Sequence, residues 1–468
     1  MDPFLLLFIG VAIVVGGIVG LRLHAFIALF AAAIVVAVLT PKQNIESSVL
    51  AQGRSQQEAT TRANESLGVK LSNKFGGTAT NLGVLIAMAS IVGACLLWSG
   101  AAERIVRSTL SLFGEKRSPL VFATSGLVLG VPVFFDTVFL LLIPLARAMA
   151  NRTQRNYLLY VLAIAVGTTM THSLVPPTPG PLFVANALKV DIGVMIIAGL
   201  ILSVFAATFG LMYAWWADRR WPKIPVAVAD GDREPIVPQK ADHELPPLWL
   251  ALAPIVIPVL LIAGATGRAL FAFPPDVANA LATLGHPNIA LSIAAVIALG
   301  TLAWQQRGNR TVLRTVTQSA IVDAGSIILI TAAGGVFGGV LQETGVGERI
   351  QGLAREYHIG VLPLAFLVTA LIRTAQGSAT VAMVTSVGIL AAFTTSGTLG
   401  FHPVYLALTI GCASKVVPWM NDSGFWVLSK TSGLTERETL RSMSVMFTLM
   451  GVVGSILVMI AAKLFPMV

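Results

Sequence analysis

Apolar residues run in stretches of membrane-crossing length with short polar connectors between them. The plain windows are 4–21, 25–40, 78–98, 157–175, 192–216, 248–267, 288–304, 321–342, 404–418 and 442–462. Most approach the ~20 residues that a helix needs to cross a bilayer, so each predicts a helix. Two further windows, 119–146 and 361–399, are equally apolar but broken by glycine, proline and polar residues midway. Proline removes a backbone donor and clashes with the preceding turn. These windows therefore predict re-entrant hairpins, two short helices meeting at a polar tip.

Part of the pattern is written twice. Ile91 to Ile105 returns as Val336 to Ile350, with Gly93, Leu96, Gly100, Glu103 and Arg104 recurring as Gly338, Leu341, Gly345, Glu348 and Arg349. Pro119 and Phe122 answer Pro363 and Phe366 at an offset of 244. Between Glu103 and Glu348 lie one hairpin and five crossings, an odd number, so the copies are expected in inverted orientation. The expected fold is an all-α polytopic membrane protein with two inverted-topology repeats, each holding a re-entrant helical hairpin and a broken transmembrane helix. Its parts are an N-terminal pair of helices with an interfacial segment (1–75), repeat 1 (76–217; hairpin about 119–146, broken helix about 157–188), a polar linker (218–247), connecting helices (248–320), repeat 2 (321–430; hairpin about 361–399, broken helix about 404–430) and a C-terminal transmembrane helix (431–468).

Composition agrees with the windows. Of 468 residues 55% are hydrophobic and only 11% charged, against about 25% charged in soluble domains. The net charge of +9 would suit a nucleic-acid binder, but the basic residues are spread over the connectors instead of forming one soluble face. They report topology: the connectors rich in Lys and Arg belong on the cytoplasmic side. The segment 41–75, which carries Lys42, Arg54, Lys70 and Lys74, is the exception and reads as interfacial. Asp2 and Pro3, without an early Lys or Arg, argue for a retained first helix in place of a cleaved signal peptide. Cys95 and Cys412 both fall in apolar windows and suggest no disulfide.

Charged and strongly polar residues at membrane depth are costly and mark function, and four clusters hold them. Two are the hairpin tips, Gly130–Thr137 with Asp136 and Thr137, and Arg373–Thr380 with Arg373, Thr374, Gln376, Gly377, Ser378 and Thr380. The other two end apolar windows: Thr168–Pro181 with Thr171, His172 and Thr178, and Ser414–Phe425 with Lys415, Asn421, Asp422 and Ser423. The 244 offset places Thr380 on Asp136 and Gly424 on Gly180. Unwound backbone at membrane depth is tolerated where it lines a cavity or is buried in protein. Half-helix N-termini there favour an anion, and Arg373 adds a full positive charge. Substrate contacts are therefore expected from all of these residues except Lys415, which could instead snorkel. Proton coupling is expected at Asp136 or Asp422, with His172 as a further candidate. Glu103 with Arg104, and Glu348 with Arg349, read as capping or ion-pair residues. The run Gly334-Gly335-Val-Phe-Gly338-Gly339 reads as close helix packing.

Gly130-x-Pro132-x-Phe-Phe-Asp136, His172-x-x-Val-Pro-Pro-x-Pro-Gly-Pro181, Ala375-Gln-Gly-Ser-Ala-Thr380 and Asn421-Asp-Ser-Gly-Phe-Trp426 together resemble the gluconate permease family, the gluconate:proton symporters of the ion transporter superfamily. The resemblance implies proton-coupled uptake of gluconate or a related sugar acid by a homodimer in the bacterial inner membrane, with no cofactor, metal or nucleic acid. The chain departs from the family pattern at Asp136 (usually glutamate), Thr178 (usually histidine) and Met420 (usually small or polar). Sodium coupling and a passive anion channel remain open as alternatives. An ATP-driven mechanism lacks a Gly-x-x-x-x-Gly-Lys-Ser/Thr motif, and an intramembrane metalloprotease lacks His-Glu-x-x-His.

Overall fold

The computed structural model describes residues 1–51, 54–114, 117–153, 156–221, 241–268, 274–347, 349, 352, 360–395 and 399–467. Over these residues the chain is all helical. Seven helices are long and apolar enough to cross a membrane: Leu67–Trp98, Tyr157–Ala187, Ile192–Arg220, Leu248–Gly267, Pro287–Gln305, Arg310–Glu343 and Glu436–Leu464. An eighth is formed if Ala25–Leu39 and Lys42–Leu50, bent by 98° at Thr40–Pro41, count as one span.

Two expected helices start earlier than the hydropathy windows. Leu67–Trp98 begins 11 residues before window 78–98, and Arg310–Glu343 begins 11 before window 321–342. In the early turns of Leu67–Trp98 the charges are satisfied inside the protein, by the far end of Arg310–Glu343. Lys70 and Lys74 bond the Glu343 carboxylate at 3.0 and 2.8 Å, with Lys70 and Glu343 both buried. The remainder of the N-terminal polar segment forms two short helices, Lys42–Ala51 and Gln56–Asn64, joined through Ile45, Val49, Ala59 and Ala63. Ser48 and Asn44 dock the first of them by donating to the Gln342 and Thr344 carbonyls at 2.7 and 3.1 Å.

Helix boundaries recur along the chain. Ile192–Arg220 returns as Glu436–Leu464, both ends displaced by 244 positions (436 − 192 = 244; 464 − 220 = 244). The helix that begins at Pro179 answers the one that begins at Ser423 with the same displacement. Equivalent helices also pack together: Leu67–Trp98 lies along Arg310–Glu343, and Ile192–Arg220 along Val445–Leu464. The run 334–339 serves two neighbours at once. Gly334 and Gly338 face Val384 and Gly388, while Gly335 and Gly339 face Thr78 and Lys74. An added Cβ at Gly338 would stand 2.7 Å from the Gly388 backbone, so side chains are excluded there and the two helices meet backbone to backbone.

The degree of burial sorts the spans. In Leu248–Gly267 28% of the apolar window is buried, which places that helix at the lipid-facing edge. In Tyr157–Ala187 the figure is 94%, so this helix runs through the centre. Its apolar surface continues all the way round, as a fully enclosed helix requires. The expected hairpin windows resolve into Ser118–Leu129 with Phe135–Thr153, and Val361–Gln376 with Ala379–Leu390. Both arms of the first pack on Tyr157–Leu174, and the two arms of the second pack on each other. The second expected broken helix resolves into Pro403–Ala413 and Ser423–Ser432. Most of the expected linker, residues 222–240, lies outside the described residues, as does Glu348. At the linker's described end Arg104 donates to the Pro246 and Asp242 carbonyls at 2.7 and 2.8 Å, and Arg107 pairs with Asp242 and Glu103.

Candidate functional site

The second hairpin turns at Gly377, whose φ of +82° lies in the left-handed region that glycine adopts without a Cβ penalty. A Cβ there would stand 2.2 Å from the Asn421 carbonyl oxygen, so the tip and the second break touch through their backbones. Ser378 then caps the next arm, accepting from the Val381 N–H at 3.3 Å. Pro418 cannot donate within a helix, and residues 414–422 run unwound until Asp422 caps Ser423–Ser432 by accepting from the Gly424 N–H at 2.8 Å.

These two elements are joined by side chains. Arg373, 2% exposed, pairs through Nη2 with Asp422 Oδ2 and donates from Nε to the Ser414 carbonyl at 2.8 Å. Asn421 Nδ2 donates to the Thr374 and Ala375 carbonyls at 2.9 and 3.2 Å, and Trp419 Nε1 to the Thr374 carbonyl at 2.8 Å. The carbonyls left free at a helix C-terminus are thus satisfied from across the site. Arg373 Nη1, both polar atoms of the Gln376 amide and Asn421 Oδ1 are buried without a hydrogen-bond partner. Buried polar atoms in folded proteins are almost all paired, so such a concentration marks a place built for something polar.

The first hairpin and the central helix close the other side. Phe134 stacks edge-on against the His172 ring with centroids 5.7 Å apart, and His172 Nδ1 is another buried atom without a partner. Phe135 packs against Gly424 of the second break. Its neighbour Asp136 therefore stands within electrostatic reach of both Asp422 and Lys415. Asp136 occupies the first turn of Phe135–Thr153, where the helix dipole favours an anion. It makes no hydrogen bond or ion pair among the described residues. Gly180 of the first break meets Met383 of the second hairpin, and Thr380 lies beside them.

The expected residues therefore divide. Asp136, His172, Arg373, Gln376, Gly377, Asn421 and Asp422 come together. Thr171, Thr178 and Thr374 surround them, but each hydroxyl donates to a nearby carbonyl of its own segment, at Gly167, Val175 and Ala370. Thr137, Ser378 and Thr380 are half-buried, while Ser423 is exposed. Three participants lay outside the expected set: the Ser414 carbonyl, Trp419 and Lys415. Lys415 does not snorkel; it is 5% exposed and interacts with Arg373, Asp422 and Asp136. The signal for it was in the sequence, a lone cation inside apolar window 404–418.

A buried, charged site walled by hairpin tips and helix breaks, within a bundle of membrane-length helices, defines a membrane transporter. Comparison with known proteins gives the family. The model of the GntP family permeases matches residues 61–464, and the chain belongs to that family. A gluconate permease of Pseudomonas aeruginosa is 33% identical over 82% of this chain and 85% of its own length. A low-affinity gluconate transporter of Escherichia coli is 30% identical over 86% and 89%. An uncharacterized permease of Haemophilus influenzae is 31% identical over 99% and 93%. Among solved structures, the Alcanivorax borkumensis YdaH transporter is similar in fold, with a TM-score of 0.57 and 17% identity over 86% of this chain and 89% of that one. The chain is thus a multi-pass inner-membrane permease, not an enzyme.

Proposed function

We propose that this permease is a proton-coupled symporter of gluconate or a closely related sugar acid, working as a homodimer. The observation that carries the reading is the pairing of one unengaged carboxylate, Asp136, with a cationic pocket formed by Arg373 and Lys415. The relatives named for gluconate transport point to the same substrate class. Arg373 Nη1 and the Gln376 and Asn421 amides offer unused donors and acceptors for a carboxylate and its neighbouring hydroxyls. Thr171 and Thr178 contribute acceptor lone pairs from the first break.

The recurrence of helix boundaries supports two copies of one unit, inverted with respect to each other, with the site where their breaks meet. Asp136 is the proton carrier in this account. Asp422 spends one oxygen on Arg373 and the other on the Gly424 N–H, so a proton there would have to break an ion pair. Neutralising Asp136 removes a negative charge beside the place where an anion binds, so proton and substrate favour each other's binding.

Reconstituted vesicles test this directly. With the interior alkaline, they should accumulate labelled gluconate above the external concentration, and a protonophore should abolish the accumulation. Mere equilibration despite the gradient would mark a channel, and accumulation that follows a sodium gradient alone would mark sodium coupling.

A further inference from the structure

We infer that Lys415 is the main charge counterpart of the substrate carboxylate, and that the buried charges around it admit one net negative charge per proton bound. This deepens the symport reading above and rests on it. Arg373 is the obvious anion receptor, yet two of its three nitrogens are already engaged, Nη2 by Asp422 and Nε by the Ser414 carbonyl. Lys415 follows Ser414 directly and is equally enclosed, but it forms no ion pair within 4 Å among the described residues. A buried ammonium without a paired anion is costly. The uncommitted negative charge that acts on it is that of Asp136.

The charged and titratable groups facing Lys415 come from each element at the site. They are Arg373 on the second hairpin, Asp422 in its own break, Asp136 on the first hairpin and His172 on the central helix. With His172 neutral, the two cations and two carboxylates cancel in the empty protein. One proton on Asp136 leaves a single positive charge, and one substrate carboxylate cancels it again. A second carboxylate on the substrate would remain uncompensated in a poorly solvated site. Asp422 could take up a further proton only by releasing Arg373. The site is therefore matched to singly charged acids and set against diacids of the same size.

Calorimetric titration of the purified full-length protein tests this, with gluconate and with glucarate, the diacid of the same carbon skeleton. Repeating the titrations in buffers of different ionisation enthalpy counts the protons. Wild type should take up one proton per gluconate and bind glucarate about a hundredfold more weakly. Lys415→Gln should lose about a hundredfold in gluconate affinity, and Lys415→Arg should recover most of it. A folded Lys415→Gln protein that binds gluconate within about threefold of wild type would overturn the inference while leaving the symport reading intact. So would glucarate binding as tight as gluconate binding, a comparison on wild type that holds even if Lys415→Gln fails to fold. Wild type that binds no gluconate would overturn both.

Discussion

Two stretches of this permease share helix boundaries at an offset of 244 residues yet differ in their polar breaks. In the first, the break between Tyr157–Leu174 and Pro179–Ala187 is four residues long and the threonine hydroxyls around it bond to nearby carbonyls of their own segments. In the second, the break between Pro403–Ala413 and Ser423–Ser432 is nine residues long and its side chains reach across to the hairpin. The positions that carry Arg373, Lys415 and Asp422 in the second copy carry Leu129, Thr171 and Thr178 in the first, each 244 residues earlier. The carboxylate of the first hairpin, Asp136, lies 244 positions before Thr380 and makes no hydrogen bond or ion pair among the described residues. In the reading proposed above, the two stretches are copies of one unit and substitution within that frame divides the work. On that reading the second stretch holds the Arg373–Asp422 pair and the cation Lys415, and the first a single carboxylate that can be neutralised.

The largest consequence falls on Arg373. Replacing it with leucine, the residue at the matching position of the first copy, strands the Asp422 carboxylate in the interior and should cost about 3–5 kcal/mol of stability in denaturant unfolding. The double change Arg373→Leu with Asp422→Leu removes both charges and should recover most of that loss. Wild-type stability in the single variant would show that the pair does not hold the second copy together.

A smaller effect separates the hairpin tips. Gly377 corresponds to Val133 in the first copy, which has no left-handed backbone. Alanine at 377 should lose about 1–2 kcal/mol from the backbone alone, with more from the contact with the Asn421 carbonyl. Gly→Ala at a tip that tolerates it would instead raise the melting temperature, and that result would remove the distinction between the tips.

Much of this was legible in the sequence because membrane spans and helix breaks are written in local composition. The hairpin windows, the breaks at Pro176–Pro181 and Pro418, and the close packing of Gly334–Gly339 all follow from residue type and spacing. What was hidden depends on pairing across the fold. The early start at Leu67 escaped hydropathy because Lys70 and Lys74 are neutralised by Glu343, 273 and 269 positions on, only once the two helices are packed (343 − 70 = 273; 343 − 74 = 269). Lys415 read equally well as a snorkelling residue until the structure enclosed it. A buried pair of Asp422 with either Arg373 or Lys415 was an alternative the sequence left open, and only the packing of the hairpin on the break, 49 positions on, decides for Arg373. Trp419 closes the site through a side chain–backbone bond that no motif encodes.

The division of labour between the copies is tested most directly by Asp136→Asn in vesicles. Asparagine keeps the shape and removes the charge; no hydrogen bond or ion pair is broken, but Lys415 loses part of its charge compensation, so stability should be unchanged or slightly lower. The variant should exchange labelled for unlabelled gluconate across the membrane at rates independent of pH, yet fail to accumulate gluconate when the interior is made alkaline. Accumulation on a pH gradient equal to that of wild type would place the coupling proton elsewhere and contradict the account.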